Sequence, residues 1–96
     1  VAQVIYSPRA IRDVAGIAKW IAQDNPSAAA RVVDDIDQIL QLVAQFPQAG
    51  EDVGRLMPGL RRMTRSPYVL YYRPADYGID VVRVVHGARD IGNLFP

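Results

Sequence analysis

The stretch "VVRVVHGARD", residues 81–90, gathers the side chains with the most chemistry in this chain. His86 is the only histidine, and it is the one side chain whose unperturbed pKa lies near neutrality. Arg83 precedes it by three residues, and an Arg89–Asp90 pair follows. A cation, an imidazole and a carboxylate this close together suit either proton transfer beside a bound anion or a charged contact with a partner. They equally suit the tying-off of a last strand. Gly87 lets the chain turn out of it, and Arg89 and Asp90 then anchor the tail by charge-assisted hydrogen bonds.

Other catalytic constellations are absent from the pattern. With one histidine and no cysteine, the sequence argues against a zinc site, and it contains no disulfide. Ser7 and Ser66 have no His–Asp partnership legible in sequence. "PGLR" and "HGARD" are not phosphate-cradling glycine loops. In "DDID", residues 34–37, the carboxylates fall on different sides of a helix, as on a solvated face. No metal or cofactor is expected.

The elements that must position these residues can be read from periodicity. Ala2–Tyr6 reads as a strand. Ser7 then Pro8 is a cap-plus-proline start for a helix over 8–23. Its apolar stripe is Ala10, Ile11, Val14, Ala15, Ile17, Ala18, Ile21 and Ala22. Arg9, Arg12, Asp13, Gly16, Lys19 and Gln23 face the other way. Trp20, the only tryptophan, lies among the polar residues. Asn25–Pro26 repeats the cap for a second helix over 27–45, striped by Ala29, Val32, Val33, Ile36, Ile39, Leu40 and Val43, with Leu42 off the stripe. The connection is short, so the two helices form an antiparallel hairpin.

Residues 46–59 read as a Gly/Pro-rich loop. The period then changes to two through "LRRMTR", "YVLYYR" and "IDVVRVVH", joined by "SP" and by "PADYG", a five-residue hairpin loop. The prediction is one α+β domain over 1–96 in the order β-α-α-β-β-β, a helical hairpin packed on one face of a small antiparallel sheet. In the last strand, alternation puts Val81 and Val85 with Ile79 and Arg83 on one face. Val82 and Val84 fall on the other with Asp80 and His86. Both faces are apolar, so the face away from the helices either binds a partner or is covered by the loop 47–58.

The 96 residues are 50% apolar and 22% charged, a soluble globular profile. No apolar run is long enough to span a membrane, and no signal peptide is visible. With no cysteine, this fits a cytoplasmic protein. Residues 1–54 hold four basic against seven acidic groups, and residues 55–96 hold seven arginines against three acids. Arginine suits planar carboxylate or phosphate recognition, so the second half points either to a mixed solvated surface or to an anionic partner, nucleic acid or an acidic protein segment.

In order and spacing, four segments resemble the RelE/ParE superfamily of toxins from type II toxin–antitoxin modules. They are "YSPRAIRDVAGIAKWIA", "NPSAA", "FPQAG…MPGLRR" and "YVLYYR…IDVVRVVHGARD", and the "HGARD" ending looks closest to ParE. The resemblance implies a β-α-α-β-β-β fold and a cognate ParD-like antitoxin, held in a heterotetramer or larger complex. It also implies one of two poisons. ParE-like members inhibit DNA gyrase by binding and block replication. RelE-like members enter the ribosome and cut mRNA. For a ParE-like toxin no catalytic residue is required, and sequence-specific DNA binding by this chain is not expected. Arg83, His86, Arg89 and Asp90 become candidates for contact with the target. Trp20, Leu42, Val81 and Val85 become candidates for the antitoxin surface. Trp20 has an alternative, packing against the alkyl stem of Lys19 or Arg31.

For a RelE-like nuclease, Arg61, Arg65 and Arg83 are the candidate phosphate contacts. RelE-like toxins resemble one another in carrying a tyrosine, or a histidine–tyrosine pair, near the C-terminus. Here no tyrosine follows Tyr77, and "IGNLFP" offers neither acid nor base.

Overall fold

The structure is a computed structural model that describes residues 1–87, 94 and 95. Two helices lie over a five-stranded sheet. Strand β1 (Gln3–Tyr6) leads into α1 (Pro8–Ala22) and α2 (Pro26–Gln45). A single 3₁₀ turn follows, then β2 (Glu51–Asp52), β3 (Arg61–Arg65), β4 (Tyr68–Ala75) and β5 (Gly78–His86). Both expected caps are made. The Ser7 hydroxyl accepts from the Ala10 N–H at 3.0 Å, and the Asn25 carboxamide oxygen accepts from the Ala28 N–H at 3.1 Å. Pro8 and Pro26 each occupy the first helical position, where a missing N–H costs nothing.

The sheet order is β1-β5-β4-β3-β2. Neighbours from β2 to β5 run antiparallel, as short connections require. The sheet as a whole is mixed, because β1 pairs with β5 in parallel. A tight hairpin forces antiparallel pairing, and β1 leads into a helix instead of a hairpin. The expected five-residue loop "PADYG" is shorter in fact. Pairing continues to Ala75 opposite Gly78 and leaves only Asp76 and Tyr77 in the turn. Gly78 cannot be replaced there. It has φ of +142°, and an added Cβ would lie 2.1 Å from the Gln3 carbonyl oxygen of β1.

The alternation expected along β5 breaks at Val82. Tyr72 pairs with Val81 and Tyr71 with Arg83, so Val82 is the extra residue of a β-bulge. The apolar positions therefore change face in mid-strand. Ile79, Val81 and Val84 join Ile36, Leu40 and Val43 of α2 in the core under the helices. Val85 instead joins Tyr71, Val53, Leu60 and Leu94 in a second core on the opposite face. That face is closed by the chain from Val53 to Leu60, with Leu56 and Met57, and by Leu94 and Phe95. The Phe95 ring meets Tyr71 edge-on at 5.0 Å. Burying a side chain of this kind is worth about 1.5–3 kcal/mol, enough to draw the loop over the strand.

The start of α1 is stitched to β5 around the bulge. The Ser7 N–H donates to the Val81 carbonyl at 2.9 Å, and its hydroxyl donates to the Val82 carbonyl at 3.0 Å. Two turns on, Asp13 accepts from the Val84 N–H at 3.0 Å. Beyond the end of β1, backbone groups of β5 thus find their partners at the start of α1. The placement of α1 along the end of β5 follows from these bonds.

Candidate partner-binding site

The candidate residues separate into three groups. Arg83 is the first correction. Its residue surface is only 4% exposed, and its guanidinium donates to both oxygens of Asp13, at 2.7 Å from Nε and 3.0 Å from Nη2. Buried and paired in this way, it is not presented to a target or a phosphate. The sequence concealed this because its partner lies on another element, 70 positions away. Val81 and Val85 are the second correction. They are 0% and 3% exposed and lie in the two cores on either side of the sheet, so neither is a surface residue. The choice between a partner and the chain's own loop over the second face is settled by Val53–Leu60.

Arg61 and Arg65 stand on β3 but do not converge with Arg83. The Arg61 guanidinium donates to the Gln48 and Gly50 carbonyls at 3.2 and 2.7 Å. Arg65 is bidentate to Asp35 of α2, at 2.6 and 3.2 Å. Each of the three arginines thus serves a different internal contact. Arg89 and Asp90 lie outside the described residues.

The remaining candidates are on the surface. Trp20 is 74% exposed and Leu42 is 59% exposed, in keeping with their positions off the two apolar stripes. Trp20 and His86, far apart in sequence, line one cleft of about 440 Å³ between α1 and the ends of β4 and β5. Arg12, Gly16 and Trp20 form one wall at successive four-residue steps along α1. Tyr68 and His86, directly paired across β4 and β5, form the other. Their rings meet nearly perpendicular, with centroids 6.0 Å apart. Asp13 also borders the cleft, but its charge is already answered by Arg83 and the Val84 N–H. Leu42 does not line it.

Arg12, Gly16 and Tyr68 were not singled out in sequence. The four-residue spacing of Arg12, Gly16 and Trp20 was a usable signal for the helical wall. Tyr68 had none, because its neighbour His86 follows from strand register. Among the described residues no three His, Cys, Asp or Glu side chains are grouped as metal ligands, and no helix is long and apolar enough to cross a membrane.

Comparison with known proteins gives the chain its relatives. A family model described as the ParE toxin of the type II toxin–antitoxin system parDE matches residues 4–91. "Toxin RelE2" of Caulobacter vibrioides is 32% identical over 88 residues, 92% of this chain and 98% of that protein. "Toxin ParE1" of Mycobacterium tuberculosis is 30% identical over 64 residues, 66% of this chain and 65% of the other. Among solved structures, a chain from "Chromosomal ParDE TA system from P. aeruginosa" superposes with a TM-score of 0.73 at 20% identity. It covers 88% of this chain and 95% of its own length, and shows the same fold. The match over residues 4–91 and the near full-length relative together place this chain in the ParE toxin family of type II toxin–antitoxin systems, within the RelE/ParE superfamily.

Proposed function

We propose that this toxin acts in the cytoplasm by binding DNA gyrase and blocking replication, without catalysing a reaction, and that a ParD-like antitoxin neutralises it. One observation carries the choice between the two poisons of the superfamily. A nuclease needs cations gathered on the scissile phosphate. Arg61, Arg65 and Arg83 are instead committed one by one to backbone carbonyls, Asp35 and Asp13. A binding poison needs only an exposed, shaped surface, with no cations brought together on one group.

The competing reading is ribosome-dependent mRNA cleavage, kept in view by relatives that carry RelE names. Induced expression without antitoxin, with DNA and protein synthesis followed by pulse labelling, distinguishes the two. Under the proposal DNA synthesis stops first and translation continues. Early arrest of translation with fragmented mRNA favours the nuclease. Normal growth at full expression rejects both.

A further inference from the structure

Gly16 stands in the middle of α1, where glycine costs roughly 0.5–1 kcal/mol relative to alanine. Among the described residues nothing asks for it: a Cβ built there meets no atom of theirs within 4 Å, and no close helix packing or turn of theirs requires its absence. The bare backbone at Gly16 instead opens the cleft between Arg12 and Trp20, one turn to either side. A large, exposed aromatic ring beside an unfilled stretch of helix backbone leaves room for a bulky side chain to enter.

The charge of the wall says what must accompany that side chain. Within α1 the ionisable residues are Arg9, Arg12, Asp13 and Lys19. Asp13 is spent on Arg83. Among the described residues Arg9, Arg12 and Lys19 have no ion-pair partner, so α1 presents only uncompensated cations. Helix α2 has the opposite balance, with Asp34, Asp35 and Asp37 against Arg31.

Resting on the reading of this chain as a toxin held by an antitoxin, we infer that the Arg12–Gly16–Trp20 cleft receives an acidic segment of that antitoxin. The segment sets a bulky apolar side chain over Gly16 against Trp20 and a carboxylate on Arg12. The three wall residues span about 12 Å of helix, the length of a short extended or helical segment and more than a single buried side chain needs.

Trp20 is the only tryptophan, so its emission reports occupancy of the cleft directly in an antitoxin free of tryptophan. The purified toxin is titrated with its cognate antitoxin, and affinity is measured by calorimetry alongside Trp20 emission. The wild type is expected to bind with a blue shift of Trp20. Gly16→Leu, whose Cβ has open space among the described residues, and Arg12→Glu are each expected to weaken binding at least tenfold while keeping the wild-type circular dichroism. Affinity within twofold of wild type for folded Gly16→Leu overturns the assignment while the toxin–antitoxin reading stands. The same result for Arg12→Glu also overturns it, and keeps the test decisive if Gly16→Leu does not fold. Failure of wild-type toxin to bind any antitoxin overturns the reading beneath it. A single-stranded 12-nucleotide probe that displaces the antitoxin from wild type but not from Gly16→Leu would make the cleft a nucleic-acid site and overturn the acidic-segment assignment.

Discussion

The Arg83 guanidinium on β5 holds the Asp13 carboxylate on α1 in a bidentate ion pair at 2.7 and 3.0 Å, and the same carboxylate takes the Val84 N–H at 3.0 Å. Both side chains are largely buried. Asp13 therefore joins the first helix to the last strand beside the bulge at Val82.

Arg83→Ala should act through stability. Removing one partner of a buried pair leaves the other charge uncompensated, at a cost of about 3–5 kcal/mol. Urea unfolding should show that loss for Arg83→Ala, with a comparable loss for Asp13→Ala. The double variant should cost less than the two single losses added together, because neither charge is left alone. Full stability of Arg83→Ala would remove the pair from the fold's account.

Trp20→Ala should do the reverse. At 74% exposure the ring contributes little to folding, so unfolding free energy should change by no more than about 0.5 kcal/mol. As an anchor for a partner its loss should cost about 2 kcal/mol of binding, roughly thirtyfold in affinity. Calorimetry against the antitoxin, paired with urea unfolding, separates these two numbers. Unchanged affinity would remove Trp20 from the interface.

Alkaline pH should weaken the fold through its phenols. Tyr6 is raised above the ordinary value of 10.0 first by burial and then by its hydrogen bond and charge contact with Asp37. Tyr72 is raised above the same value by burial. Its hydroxyl donates to the Pro47 carbonyl at 2.7 Å and accepts from the Gly50 N–H at 2.8 Å. Because the folded values lie above the unfolded ones, the unfolded chain loses these protons first. Stability should hold below pH 10 and fall as pH rises beyond it. Thermal unfolding from pH 8 to 11 should show the decline, and Tyr6→Phe should show a smaller one. A flat profile would contradict the origin assigned to these shifts.

How far the sequence reached depended on range. Ser7 and Asn25 cap their helices through bonds to residues three positions away, so their roles were legible locally. Trp20 and Leu42 were legible as surface residues for the same reason, since a helical wheel needs only neighbours. The bulge at Val82 was not. Strict alternation assigned Val81 and Val85 to one face, and one extra residue sent them to opposite cores. Arg83 looked like a site residue because its partner is contributed by another element. Parallel pairing of β1 with β5 was hidden as well, because register between distant strands leaves no mark on either strand alone. The cleft joins both kinds of information. Its helical wall is written in the spacing of Arg12, Gly16 and Trp20, whereas its other wall depends on the pairing of Tyr68 with His86.

The central claim, a toxin that poisons by binding, is tested most directly by supercoiling of relaxed plasmid by purified DNA gyrase with the purified toxin added. The proposal predicts inhibition that rises with toxin concentration and is reversed by the cognate antitoxin. Unimpaired supercoiling, together with mRNA cleavage when the same toxin is added to translating ribosomes, would contradict it.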